Sequence, residues 1–150
     1  MDYVIIGGGS AGCVLAARLT EDPGVNVTLL EAGPPDASVL IHCPGGLAAM
    51  AKFELFGWGQ NTVPQPGLNG RRGYQPRGKV LGGSSSINAM VYIRGQHADY
   101  DHWAAQGNPG WGWADVLPYF KRAEHNERGA DEWHGQGGPF NVMDLRSPNR

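Results

Sequence analysis

The first thirty residues predict an α/β fold built on a parallel sheet, and three observations carry that prediction. Tyr3-Val4-Ile5-Ile6 is a continuous apolar run, rich in β-branched residues, the pattern of a strand buried on both faces. Gly7-Gly8-Gly9-Ser10-Ala11-Gly12 ends it. Cys13 to Thr20 then places apolar residues at Val14, Leu15, Ala16, Ala17 and Leu19, a helical stripe broken by Arg18 and closed by Pro23-Gly24. A second apolar strand, Val25 to Leu30, follows and stops at an acid, Glu31. Strand, helix and strand in so short a span form a βαβ unit with parallel strands.

The turn out of the first strand fills G-x-G-x-x-G with Gly7, Gly9 and Gly12, which makes the unit Rossmann-like. Gly7 permits the tight turn, Gly9 lets the backbone approach a pyrophosphate, and Gly12 lets the helix pack closely on the sheet. The amides of the helix start, around Ser10 and Ala11, together with the helix dipole, favour an anion there. Glu31 stands nineteen residues beyond Gly12, the expected place for a carboxylate that takes hydrogen bonds from the adenosine ribose. The same acid disfavours a ribose 2′-phosphate, since two anions would face each other. The glycine pattern alone also fits an ordinary glycine-rich turn. With strand, helix, second strand and acid in register, it reads as a dinucleotide site.

A chain of 150 residues is long enough for one domain that buries about 68–70% of its unfolded surface. The net charge of −2, with acids and bases interspersed, leaves no electrostatic footprint for nucleic acid. No run approaches the ~18 apolar residues of a spanning helix. The first strand begins directly after Met1-Asp2, leaving no room for a signal peptide, so the expected location is cytoplasmic, with peripheral attachment to a membrane left open. Cys13 and Cys43 lie too far apart for a C-x-x-C pair, and Cys13 reads as a small packing residue. Twenty-four glycines and eleven prolines are about twice the usual share, so much of the chain is expected to be loop. After Leu30 no second βαβ unit of similar quality follows, and two parallel strands alone would leave long edges unpaired. The expected fold is therefore loop-rich and incomplete without downstream segments.

From Ala32 to Gln75 the reading is loop and short extended pieces, with a brief helix over Leu47 to Leu55. Asn69-Gly70 marks a turn between Asn61-Thr62-Val63-Pro64 and Arg72-Gly73-Tyr74-Gln75, a hairpin excursion. Trp58, Tyr74 and Arg71-Arg72 are open to ligand contact, although packing and solvation account for each alone. Gly82-Gly83-Ser84-Ser85-Ser86 brings bare amides and hydroxyls together where a helix is expected to begin, because Ile87, Met90, Val91 and Tyr92 or Ile93 follow at helical spacing. This is a second anion-cradling device, or a flexible linker. The flanking Val80-Leu81 and the apolar run that follows argue against a linker.

At this point the chain resembles the glucose–methanol–choline (GMC) oxidoreductases, flavoenzymes that oxidise alcohols. Asp2 to Ala16 with Glu31-Ala32-Gly33 is similar to the family's adenine-dinucleotide motif, and Gly78 to Gly95, on to Asp101, is similar to its first signature. Trp113 to Glu124 and His134-Gly135-Gln136-Gly137-Gly138-Pro139 resemble its choline-dehydrogenase-like branch, so the likeness covers nearly the whole chain. The resemblance implies FAD, with Gly7, Gly9, Ser10, Ala11 and Gly12 on the pyrophosphate and Glu31 on the ribose. Gly82, Gly83 and Ser84 would form the second cradle, and Val80 with Asn88-Ala89-Met90-Val91 would line the flavin. Some members attach FAD through a histidine at the position of Ile87, and isoleucine implies that FAD is held non-covalently.

His97-Ala98-Asp99-Tyr100-Asp101-His102 fits either a metal site or an N-cap, with Asp99 capping a helix Tyr100 to Gln106 that Gly107 ends. The cap is the preferred reading, and the resemblance includes no metal. A further helix is expected over Asp115 to Glu124, with Asp115 in its first turn, Pro118 early enough to be tolerated, and Trp113, Val116, Leu117 and Phe120 in the core. Phe140 to Met143 would start a strand. The implied reaction is hydride transfer from an alcohol carbon to flavin, with a base taking the hydroxyl proton. In the family that base is a histidine of a C-terminal motif. None of His42, His97, His102, His125 or His134 lies in such a motif, so no catalytic residue and no metal ligand is assigned. The chain reads as the N-terminal part of a GMC-type FAD-binding domain, without the substrate domain or the catalytic motif. The expected partner is a small-molecule alcohol in the full-length enzyme, and the sequence assigns no oligomeric state. Two other readings are a nicotinamide-dependent dehydrogenase, which leaves Gly82-Gly83-Ser84 without a role, and a non-catalytic or truncated dinucleotide-binding fragment.

Overall fold

The structure is a computed structural model describing residues 1–144 and Arg146, and these form two compact units, Met1–Val91 and a second from Tyr92 onward. In the first unit β1 (Asp2–Ile6), α1 (Ser10–Leu19) and β2 (Asn26–Leu30) realise the expected βαβ unit. The strands pair in parallel, Asp2 opposite Asn26 through Ile6 opposite Leu30. The Gly7 amide extends the ladder to the Leu30 carbonyl at 2.7 Å. Alternation decides which side chains are covered. Ile5, Val27 and Leu29 are half-buried, whereas Val4 and Ile6 remain exposed. Gly12 is buried, and a Cβ there would run into the Gly7 carbonyl, so only glycine lets α1 lie this close to the turn.

The stretch from Ala32 onward is less extended than its sequence suggests. It folds a short α2 (Val39–His42), started by the Ser38 hydroxyl, which accepts from the Leu40 amide, and α3 (Gly46–Phe53). Glu54 ends α3 in the left-handed conformation. The hairpin excursion is present as isolated bridges, Asn61 to Tyr74 and Gln65 to Arg71, and not as continuous strands. Asn69 and Gly70 take φ of 54° and 74° at its tip, the pair of positive angles that an Asn-Gly turn provides.

The helix expected after the serines does not form. Gly83–Ser86 makes a single 3-10 turn, and no helix resumes until residue 97. The reason is local: Asn88 Oδ1 accepts from the Met90 amide at 2.7 Å, and Met90 adopts φ 55°, so an Asx turn replaces the helical bond.

In the second unit α4 (His97–Ala105) precedes α5 (Trp113–Ala123). Both start earlier than expected. Asp99 is the third residue of α4 and not its cap: its Oδ2 accepts from the Gln96 amide at 2.8 Å, the back-reaching arm of a capping box. Asp101 Oδ1 accepts from the Trp113 amide at 2.9 Å and so caps α5 from α4. Pro118 is the sixth residue of α5, an interior place where it removes one helical donor. Tyr100, Trp103, Trp113 and Phe120 pack ring against ring between the helices, with Tyr100 buried. Strands β3 (Glu124–Asn126) and β4 (Phe140–Val142) pair in parallel.

Candidate functional site

The two glycine motifs, seventy residues apart in sequence, meet in the first unit. Gly9 forms a parallel bridge with Gly82, and the Gly82 amide donates to the Gly8 carbonyl at 2.7 Å. Gly83 adopts φ 58°, and a Cβ there would sit 2.9 Å from the Gly9 Cα. Glycine is thus required at Gly83 twice, by conformation and by approach. The result is a floor of bare backbone beside the start of α1. Gly9 is the N-cap residue, brings no side chain to the cap, and α1 has no acid in its first turn. The first amides of α1 are left for an acceptor from outside the helix, which suits an anion such as a pyrophosphate.

Glu31 closes one side of this floor. Its Oε2 accepts from the Gly8 amide at 2.7 Å and its Oε1 from the Gly33 amide at 2.8 Å. These bonds, Gly33's foremost, hold its carboxyl below the usual carboxylate range. The carboxylate is therefore ionised and fixed in place, with lone pairs left for ribose hydroxyls.

The serines divide between two tasks. Ser85 Oγ donates to the Gly82 carbonyl at 2.5 Å and Ser86 Oγ to the Leu81 carbonyl at 2.7 Å, so both tie the turn to itself. Ser84 Oγ instead accepts from the Gly78 amide at 3.1 Å, which leaves its hydroxyl proton for a ligand. Val80 is fully buried, and its carbonyl accepts from the Gly83 amide at 2.7 Å, which ties the turn to a fixed point of the chain. Asn88, Ala89, Met90 and Val91 are all exposed on the stretch that leaves the turn. Trp58 stacks under the Lys79 ammonium at 4.7 Å and donates its indole N–H to the Gly78 carbonyl, which makes it a brace for the second motif.

The second unit holds a charged cluster that sequence reasoning did not single out. Glu124 is fully buried, ion-paired with Arg94. Asn126 Nδ2 donates to its Oε1 at 2.9 Å, His134 Nδ1 lies 2.9 Å from the same oxygen, and the Gly135 amide donates to Oε2 at 3.2 Å. Burial pushes its carboxyl up, but these hydrogen bonds and the Arg94 charge outweigh it, and the group stays below its ordinary value. The only sequence trace was an acid and an amide two residues apart, Glu124 and Asn126, on one face of a short strand. His97 stacks on Trp113 at 4.1 Å, and both aspartates accept backbone amides at helix starts, Asp99 as the third residue of α4 and not as the expected cap, and Asp101 at the start of α5.

Bare glycines at a helix start, a fixed acid at the end of β2 and a second glycine turn folded onto the first define a dinucleotide-binding α/β unit. The chain belongs to the GMC oxidoreductase family, whose model matches residues 1–147, and FAD is the expected cofactor of such a site. It is 51% identical over 142 residues to an oxygen-dependent choline dehydrogenase of Brucella anthropi, covering 95% of this chain and 26% of that protein. It is likewise 51% identical over 149 residues to an alcohol dehydrogenase [acceptor] of Pseudomonas putida, 99% of this chain and 27% of that protein. The crystal structure of pyridoxine 4-oxidase from Mesorbium loti superposes with a TM-score of 0.87 at 42% identity, over 93% of this chain and 28% of that one. The chain spans about a quarter of the length of the curated relatives it matches.

Proposed function

We propose that this chain is the FAD-binding portion of a flavin-dependent oxidoreductase acting on CH–OH groups of alcohol donors, in a cytoplasmic protein of the choline or alcohol dehydrogenase type. One observation carries the reading: the Gly9 to Gly82 bridge, which joins the two glycine motifs into a single uncluttered floor. A nicotinamide enzyme needs only the first motif, whereas the larger fused ring and ribityl chain of a flavin give the second motif a task. In this reading Gly7 makes the turn, the backbone of Gly9, Ser10, Ala11 and Gly12 at the start of α1 holds the pyrophosphate, and Glu31 takes the ribose hydroxyls. Gly82, Gly83 and Ser84 add donors, while Val80, Asn88, Ala89, Met90 and Val91 flank the ring.

Bound flavin would supply a hydride acceptor for the alcohol carbon. The residues of this chain orient the cofactor and keep its anionic end paired; none of its histidines is assigned as the base. The base and the substrate domain are proposed to lie outside residues 1–150. Ile87 stands where some members carry the histidine that links FAD, and an isoleucine cannot form that bond, so retention of FAD rests on non-covalent contacts.

The test is the visible absorbance of the purified chain, with and without added FAD, repeated on the supernatant after denaturation. A flavin spectrum released on denaturation supports both the site and its non-covalent character. Chromophore that stays with the polypeptide would overturn the second point, and a soluble, folded chain that ignores added FAD would overturn the first.

A further inference from the structure

The interspersed charges of this chain give way to one sign over residues 57–79, which hold four of its twelve lysines and arginines and none of its fourteen acids. The four are Arg71, Arg72, Arg77 and Lys79, all on the return arm of the hairpin excursion that Gly57 and Gly78 close at its base. The three arginines are exposed, and among the described residues none of the four cations lies in an ion pair. Around the tip, Leu68 is 51% and Val63 70% exposed. We infer that this tip rests on the surface of a bilayer with anionic headgroups, the arginines meeting the charge and Leu68 entering the interface.

The backbone of the tip favours a lipid surface over a soluble acidic partner. Entry into an interface costs least where no backbone donor is left bare. Pro64 and Pro66 have no amide hydrogen, and the amides of Gln65, Leu68, Asn69, Gly70 and Arg71 all donate to carbonyls within the tip, at 3.0–3.3 Å. The base is fixed as well, since the Trp58 amide donates to the Arg77 carbonyl at 3.0 Å and the Lys79 amide to the Phe56 carbonyl at 2.7 Å. Cations flanking an apolar tip make a peripheral membrane contact, in which each basic residue near an anionic surface strengthens binding by about fivefold. An acidic protein would use the arginines and give Leu68 no task. No helix among the described residues is long and apolar enough to cross a membrane, and the contact inferred is one at its surface.

The experiment is co-sedimentation of the purified chain with vesicles of phosphatidylcholine alone, or of an equal mixture of phosphatidylcholine and phosphatidylserine, at low and at physiological salt. Binding is expected on the anionic vesicles only and to weaken as salt rises. It should fall about 25-fold in Arg71→Gln/Arg72→Gln. Arg72→Gln alone, which touches none of the tip's hydrogen bonds, should lose about fivefold and keep the parent's urea midpoint. Leu68→Ser should lose about threefold with the arginines intact. Equal binding to neutral and anionic vesicles would overturn the inference, because exposed Val4 and Ile6 account for that behaviour. So would anionic binding that survives both arginine substitutions. Displacement by soluble polyglutamate with no effect of Leu68→Ser would also overturn it, in favour of an acidic protein partner. The assay needs no flavin, so its outcome is independent of whether the chain binds FAD.

Discussion

Gly83 is the position where a single methyl group should weaken the fold and the cofactor floor together. Its backbone is left-handed and its Cα faces Gly9 across the floor of the site. Gly83→Ala is expected to cost about 1–2 kcal/mol from conformation alone, and more from the contact with Gly9, so the urea midpoint falls and added FAD is no longer retained. Gly67→Ala is the matched control, since nothing lies within 4 Å of its would-be Cβ and its φ is not positive; both readouts should stay near the parent's. Glu31 gives a pH prediction at the same scale. A carboxyl whose native pKa is depressed contributes in full above its unfolded value of about 4.3 and loses that contribution as pH falls through the native value. Stability measured by urea should thus hold from pH 7 to 5 and fall below about 4. Glu31→Gln should be weaker by about 1–2 kcal/mol at pH 7, because the amides of Gly8 and Gly33 lose a charged acceptor, and its acid loss should be smaller.

Among the elements, β3 is held by charge and not by apolar burial. Glu124 is enclosed with Arg94, His134, Asn126 and the Gly135 amide, so β3 and the loop before β4 share one carboxylate. Glu124→Gln keeps the shape but leaves the nearly buried Arg94 unpaired, an expected loss of about 3–5 kcal/mol by urea unfolding of the tryptophan-rich second unit. Little of this was legible in the sequence, because a parallel pair joining residues 124–126 to 140–142 has no local pattern and its partners are polar. By contrast, β1, α1 and β2 were legible almost to the residue, since apolar runs, a glycine motif and a terminal acid all act within thirty positions. The starts of α4 and α5 were misplaced for a physical reason: both aspartates accept amides at helix starts, but Asp99 reaches back from inside α4 and Asp101 reaches across to α5. The serine turn was misread as a helix start because spacing registers apolar side chains and cannot register the competing Asn88 to Met90 bond. The site was half visible: both glycine motifs stood out, while their meeting at Gly9 and Gly82 is a long-range contact that neither motif encodes alone.

For the whole molecule the decisive quantity is exposed surface. Among the described residues the buried large hydrophobic ones are Met50, Val80 and Tyr100. Val4 and Ile6 lie on one face of β1, 66% and 86% exposed, beside Leu30 on β2 at 51%. A parallel sheet is ordinarily covered on both faces, so this face is a contiguous adhesive surface in water. The isolated chain should bind a hydrophobic fluorescent dye and elute from a sizing column above its monomer mass. Ile6→Lys should reduce both effects while leaving Gly9, Gly82 and Glu31 untouched. If dye binding and elution are those of a compact monomer before any substitution, the sheet face is covered in solution and the surface argument is wrong. If Ile6→Lys changes neither property in a chain that does self-associate, the adhesive surface lies elsewhere.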